Sequence, residues 1–403
     1  MTTRRHFLKV AAGAAGVAFC SCAMLDGARA QQASGQRLPV TVNGKRVKTI
    51  DVHAHCLFHE AENLMGSDNA AFTATVKGAP QAFITLDERL KAMDAMAVDM
   101  EVLSVNPFWY RKERDLAAEI VRVQNDKLAE LCASKPDRFA AFGSLTLQFP
   151  DLAVAQLETA MKRQGLRGAA IGGSVVGEEF SDPKFHPVWA KAEELGAVLF
   201  IHPQAIPEVA KRLKGNGWLT NTIGLPTETT VALSHLIFEG TLDRFPSLKV
   251  ISAHGGGFLP SYADRSDHAC FVNPSGCDPN ITLKKKLTEY LKQLYFDSLI
   301  FSPEALRHLA AQVGISQIML GSDHPYPWQD HPVDHIMATT SLSDDDKLAI
   351  LRGNAAKVFG MKVWGRQRAY QRSGKVLLPP YTVSSADPTL RPSRKRCCEP
   401  QLW

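Results

Sequence analysis

Asp51-Val52-His53-Ala54-His55 places two imidazoles two residues apart at the end of an apolar run. Successive side chains of a strand point to opposite faces, so His53 and His55 point the same way. Two neutral imidazoles on one face can hold one divalent ion together. Three later apolar runs end in the same manner. Val198-Leu199-Phe200-Ile201 runs into His202, Val250-Ile251-Ser252-Ala253 into His254, and Met319-Leu320-Gly321-Ser322 into Asp323. A single histidine at such a position is ordinary core packing. Four runs that all finish on a metal-binding or proton-carrying side chain point to one shared site. Imidazoles, a carboxylate and a divalent ion together supply Lewis-acid and acid–base chemistry.

The elements that must position these residues alternate along the chain. Short apolar runs occur at 49–54, 102–106, 139–145, 167–172, 197–202, 249–254, 293–298 and 317–322. Helical periodicity fills most of the gaps, as in Leu86, Leu90, Met93 and Ala97, and in the 113–134 stretch that stops before Pro136. Strands alternating with helices imply βαβ units and a parallel sheet. Eight strands over about 300 residues suit a closed (β/α)8 TIM barrel, whose catalytic groups sit at the C-terminal mouth of the strands. An open doubly wound sheet lacks its mark here, because Gly255-Gly256-Gly257 does not form the GxGxxG turn. The barrel is expected over residues 46–363, closing with a helix around 345–359. Residues 31–45 read as a linker.

Charge is unevenly placed. The net charge is +5. Residues 1–30 hold four basic and one acidic side chain, and residues 364–403 hold eight and two. The remainder is therefore mildly acidic, which excludes the clustered positive face of a nucleic-acid-binding domain. Residues 364–403 read as a disordered basic tail. At the other end, Arg4-Arg5, an apolar run from Val10 to Phe19 and Ala28-Arg29-Ala30 make a secretory signal of the twin-arginine kind, cleaved after Ala30. The expected destination is the periplasm or beyond. No other apolar run is long enough to span a bilayer. Cys270 and Cys277 could close a small loop in an oxidising compartment.

The chain resembles the amidohydrolase superfamily, and within it the branch of 2-amino-3-carboxymuconate-6-semialdehyde decarboxylase. The resemblance runs over roughly residues 46–362. It is carried by His53-Ala54-His55, Leu86–Asp94 (LDERLKAMD), Ile223–Thr230 (IGLPTETT), Phe245–Gly257 (FPSLKVISAHGGG), Gly321–Pro327 (GSDHPYP) and Gly353-Asn354-Ala355. The resemblance implies that His53, His55, His202 and Asp323 hold one divalent metal ion, zinc or alternatively manganese. It implies that His254 is the acid/base residue beside the metal, with Asp323 sharing the proton traffic. Arg265 would match an arginine that reaches a neighbouring subunit's substrate, which implies a homodimer. The run 167–172 ends without the lysine that bridges two ions in dinuclear members, so a single ion is expected. One departure concerns substrate. The decarboxylase has a further carboxylate-binding arginine upstream, but residues 61–84 contain no arginine, and Lys77 is their one basic residue.

Trp218 and Phe108-Trp109-Tyr110 either line a planar substrate or pack the barrel, and Trp218 is the candidate for substrate binding. Cys56 and His324 adjoin ligand candidates but face the other way. His59 lies four residues past His55 in an expected loop. His186, His235, His268, His308, His331 and His335 read as surface or capping residues. Two enzymatic readings follow: a decarboxylase of a small unsaturated or aromatic acid, and a hydrolase of a lactone or related bond. A binding protein without turnover would not need His254.

Overall fold

The computed structural model describes residues 38–66, 85–204 and 207–361. The expected signal segment, residues 31–37 and the expected basic tail lie outside the described residues. Eight parallel strands succeed one another: β3 (Ile50–His55), β4 (Met100–Ser104), β5 (Phe139–Ala141), β6 (Gly168–Ile171), β7 (Val198–Ile201), β8 (Lys249–Ser252), β9 (Tyr295–Asp297) and β10 (Ile318–Met319). They pair in the order β3-β4-β5 and β6-β7-β8-β9-β10. Two seams close the ring. Gly143 N–H donates to Gly168 O and Ala170 N–H to Gly143 O, joining β5 to β6. Val52 N–H donates to Leu320 O and His55 N–H to His324 O, joining β10 back to β3. The result is a (β/α)8 barrel.

Helices follow the strands: α1 (His59–Met65), α2 (Leu86–Ala95), α3 (Arg114–Ser134), α4 (Pro150–Lys162), α5 (His186–Leu195), α6 (Leu225–Phe238), α7 (Leu259–Ser266) and α8 (Pro303–Val313). Pro at the first turn of α4, α5, α6, α7 and α8 costs no hydrogen bond there and presets the helical φ. The expected closing helix around 345–359 is broken into Asp344–Leu348 and Asn354–Val358 with a wider turn between. Among the described residues, no helix is long and apolar enough to cross a membrane.

The interior of the barrel is filled rather than hollow. Val52, Val102, Phe142, Ala170, Phe200, Ile251 and Met319 form one buried cluster with Phe359. Phe142 stacks on Phe200, centroids 5.3 Å apart, and also meets Phe359. The outward residues of the strands pack with the helices in a second, larger cluster.

Residues 40–45 are not linker. Val40–Val42 and Lys45–Val47 form an antiparallel hairpin, β1 and β2, with Val40, Val42 and Val47 buried in the larger cluster. Its turn is Asn43-Gly44, both with positive φ, the pairing that two-residue hairpins favour. Asn43-Gly44 between alternating valines is the sequence mark of this hairpin.

Gly168 opens β6 at φ 141°, and a Cβ there would lie 1.9 Å from Val198 O. The β6–β7 register Gly168↔Val198 therefore requires glycine. Gly168→Ala is expected to lower unfolding stability by about 2 kcal/mol or more, read as a lower urea midpoint. An unchanged midpoint would mean the register is not held this tightly.

Candidate metal centre and active site

Strand β3 does not run evenly. Asp51 lies opposite Glu101 and Ala54 opposite Leu103, so Val52 and His53 share one partner residue. Such a bulge re-aims side chains. Val52 stays in the barrel core while His53 and His55 turn toward the mouth. Their Nε2 atoms approach to 3.1 Å. His202 follows β7 directly, its ring 4.5 Å from that of His55 and 5.1 Å from that of His53. Asp323 lies four residues past β10. Its Oδ1 is 3.1 Å from His53 Nε2 and 2.9 Å from His55 Nε2. One donor atom from each of these four buried residues falls within 4.8 Å of all the others.

The donor set fits a divalent cation. Both ring nitrogens of His202 are buried without hydrogen-bond partners. Buried polar atoms are rarely left so unless something else satisfies them. Burial lowers His55 and holds His202 well below the usual histidine range, which favours the neutral ring that binds a metal. Burial opposes a charge on His53 too, but Asp323 and Asp297 outweigh it and lift the ring to about 10.

Two neighbours fix which ring nitrogen points inward. His53 Nδ1–H donates to Asp297 Oδ2 at 2.6 Å. Ser104 Oγ–H donates to Ala54 O at 3.1 Å, so its oxygen accepts from His55 Nδ1–H at 3.0 Å. Each leaves an Nε2 lone pair free for a metal. Asp297 does more than orient His53. It also accepts from His254 N, Gly255 N and Leu299 N at 2.9, 2.9 and 3.1 Å. Gly321 makes room for it, since a Cβ there would lie 2.7 Å from Asp297 Cβ and 3.1 Å from His53 Cβ.

His254 begins the turn after β8 with φ 56°, and Asp323 sits at φ 63°. Non-glycine residues rarely adopt this region, and such strain is typical of functional sites. The His254 ring lies 5.3 Å from the rings of His53 and of His202, and its Nε2 is 4.0 Å from Asp323 Oδ2. Its Nδ1 is buried and unpaired. Burial brings His254 down to about 4.

The remaining candidates fall elsewhere. Arg265 is exposed on α7, outside this buried group. Trp218, 45% exposed at φ 51°, stacks on Trp328 in the loop after Asp323, centroids 5.5 Å apart. Trp109 is fully buried and donates from Nε1 to Leu145 O, so it packs the barrel. His59 opens α1 and pairs with Glu62. Cys56 is buried, its thiol pushed up to about 12 by burial. Cys270 and Cys277 are bonded to each other. His335 is not at the surface; it is buried, and its Nε2–H donates to Ser298 O.

Sequence reasoning missed Asp297 and Glu228. Asp297 ends an apolar run as visibly as His202 does, at Tyr295-Phe296-Asp297. Glu228, within IGLPTETT, is buried and accepts from Gln204 N at 2.6 Å, tethering the loop that leaves His202.

A closed parallel barrel with a buried three-histidine, one-carboxylate cluster and an adjoining histidine at the strand ends defines a metal-dependent acid–base enzyme. Its relatives fix the family. The amidohydrolase family profile matches residues 50–361. The 2-amino-3-carboxymuconate-6-semialdehyde decarboxylase of Dictyostelium discoideum is 33% identical over 278 residues, which cover 68% of this chain and 76% of that one. A solved 2,6-dihydroxybenzoate decarboxylase complexed with 2,6-dihydroxybenzoate superposes with a TM-score of 0.69 at 30% identity, over 78% of this chain and 99% of that one. A dihydroxybenzoic acid decarboxylase from Polaromonas sp. JS666, solved with manganese and an inhibitor, gives 0.69 at 28% identity over 78% and 97%. The chain belongs to the amidohydrolase family. It is an enzyme of the decarboxylating kind, a metal-dependent carboxy-lyase.

Asp297→Asn should weaken divalent metal binding by about 10–100-fold, the usual effect of losing a carboxylate behind a ligand histidine. Competition with a chelator measures it. Undiminished affinity would remove Asp297 from the support of the site.

Proposed function

We propose that this enzyme decarboxylates a small aromatic monocarboxylic acid, with His53, His55, His202 and Asp323 as ligands of one ion and His254 as its acid/base residue. The observation that carries the reading is the position of His254. It stands against the ligand cluster with one nitrogen free, close enough to serve the reacting group without completing the metal shell. When bound, the ion would supply Lewis-acid stabilisation of negative charge on the substrate's oxygens. The ring carbon that loses carbon dioxide must gain a proton. His254 is the group able to hold or relay that proton, with its Nε2 4.0 Å from Asp323 Oδ2. The ion is proposed to be zinc, with manganese, as in the Polaromonas relative, the alternative.

Three features support the substrate class. Residues 61–84 lack an arginine for a second carboxylate. Trp218 and Trp328 offer a flat apolar surface from loops at the barrel mouth. The solved relative at 30% identity is described with 2,6-dihydroxybenzoate.

Arg265 is proposed to meet the substrate's anionic oxygens across a homodimer interface, where a guanidinium binds them bidentately. The surface around it supports this, since Tyr262, Phe271 and Val272 are 59%, 85% and 75% exposed. Export by the twin-arginine route is likewise proposed. Replacing Arg4 and Arg5 by lysine should leave precursor in the cytoplasm, and unchanged export would overturn that route.

Metal-loaded enzyme should release carbon dioxide from hydroxybenzoic acids. His254→Ala should keep its metal and lose about 10²–10⁴-fold in rate, the range for a general acid–base group. Carbon dioxide from dicarboxylic unsaturated acids alone would contradict the aromatic assignment, and metal loss in His254→Ala would make that residue a ligand.

A further inference from the structure

The Asp323-His324 corner and the end of β3 share a second buried polar group, on the far side of the barrel wall from the proposed ligands. Met100 and Val102 of β4 pack into the barrel interior. Glu101 lies between them and therefore points outward, toward α2. It is fully buried, and Arg89 of α2 and His324 beside it are nearly so. Arg89 Nε–H donates to Glu101 Oε2 at 2.7 Å, and His324 Nδ1–H donates to Glu101 Oε1 at 2.7 Å. Burial alone would raise the Glu101 carboxyl, but Arg89 and His324 bring it down to about 2.

The same residues also grip the main chain. Arg89 Nη2–H donates to His55 O at 2.6 Å. His55 N–H donates to His324 O at 2.6 Å. Four hydrogen bonds thus close a circuit: His55 to Arg89, Arg89 to Glu101, Glu101 to His324, and His324 back to His55. One proposed ligand, His55, has both its peptide groups in that circuit. Another, Asp323, is the residue directly before His324. His324 N–H further donates to Ser322 Oγ at 3.0 Å, so the corner is held on both sides of Asp323.

We infer that Arg89, Glu101 and His324 are positioning residues that set the spacing between His55 and Asp323 and so the affinity and geometry of the metal site. Backbone hydrogen bonds alone define where β3 and β10 meet, but not the rotation of the corner that carries Asp323. A bidentate carboxylate held by two ring or guanidinium donors adds that constraint, since charge-assisted bonds are short and directional. A purely structural ion pair gives no reason for both of its donors to be tied to the same ligand residue. The inference rests on the proposed ligand set but not on the proposed substrate, so it is tested without turnover.

The test compares Glu101→Gln and His324→Gln with Asn125→Ala. Asn125 is a buried residue bonded twice to Ser144, outside this circuit. Manganese(II) affinity is measured by chelator competition, thermal unfolding is followed in the metal-free proteins, and the visible spectrum is recorded with cobalt(II) as the bound probe. The two circuit variants should bind manganese about 10–100-fold more weakly, in the range for support groups behind a metal ligand, and should shift the cobalt bands. Asn125→Ala should lower the melting temperature and leave affinity and spectrum unchanged. If Glu101→Gln does not fold, His324→Gln, which keeps the Arg89–Glu101 pair, carries the same expectation. Parental affinity and spectrum in the circuit variants would overturn the inference. An equal loss of affinity in Asn125→Ala would do so too, because it would reduce the effect to general destabilisation.

Discussion

Asp297 is fully buried, and an ionised carboxylate there is tolerable only if donors surround it. Four do: the His53 ring and the backbone amides of His254, Gly255 and Leu299. Removing one partner from a buried charge pair typically costs about 3–5 kcal/mol, so these four positions move together or not at all. The consequence is geometric. A single side chain on β9 ties a residue of the first barrel strand to the turn after β8. The proposed metal ligand and the proposed proton carrier are thereby fixed relative to each other before anything binds.

The rest of the site extends the same logic across the barrel. Asp51 accepts from His53 N at 2.9 Å and from Ser322 N at 3.2 Å, and is bonded to Ser322 Oγ, stitching the first strand to the last. Asp323 N–H donates to His53 O at 2.8 Å. Glu228 holds the loop beyond His202. These acids accept from backbone amides in a place where water cannot help, and each pins a segment that bears a proposed ligand. The left-handed backbone at His254 and Asp323 is sustained by this network, which over-determines both turns. Rigidity of this kind favours catalysis because the groups need no rearrangement when charge develops.

Much of this was legible in the sequence because barrels write their chemistry at strand ends. His53, His55, His202, His254 and Asp323 each follow an apolar run, and the runs gave the eight strands with boundaries displaced by a few residues. The displacement has a cause: β10 is only Ile318–Met319, and the residues up to Asp323 already belong to the turn. What stayed hidden were the acids that support the site. Glu101 and Asp51 sit inside strands, where a buried carboxylate reads as a flaw in an apolar pattern until its partners, distant in sequence, are seen. Arg89 looks like one more surface arginine of a helix until α2 is laid against β4. The bulge at Val52-His53 leaves no mark in composition.

The account depends on one ion seated among His53, His55, His202 and Asp323. The most direct measurement is elemental analysis of the purified protein beside its His202→Ala variant, both dialysed against metal-free buffer. The account predicts close to one equivalent of a divalent transition metal per chain in the parent and a large loss in the variant. Two tightly held equivalents, or a variant that keeps its full complement, would contradict it.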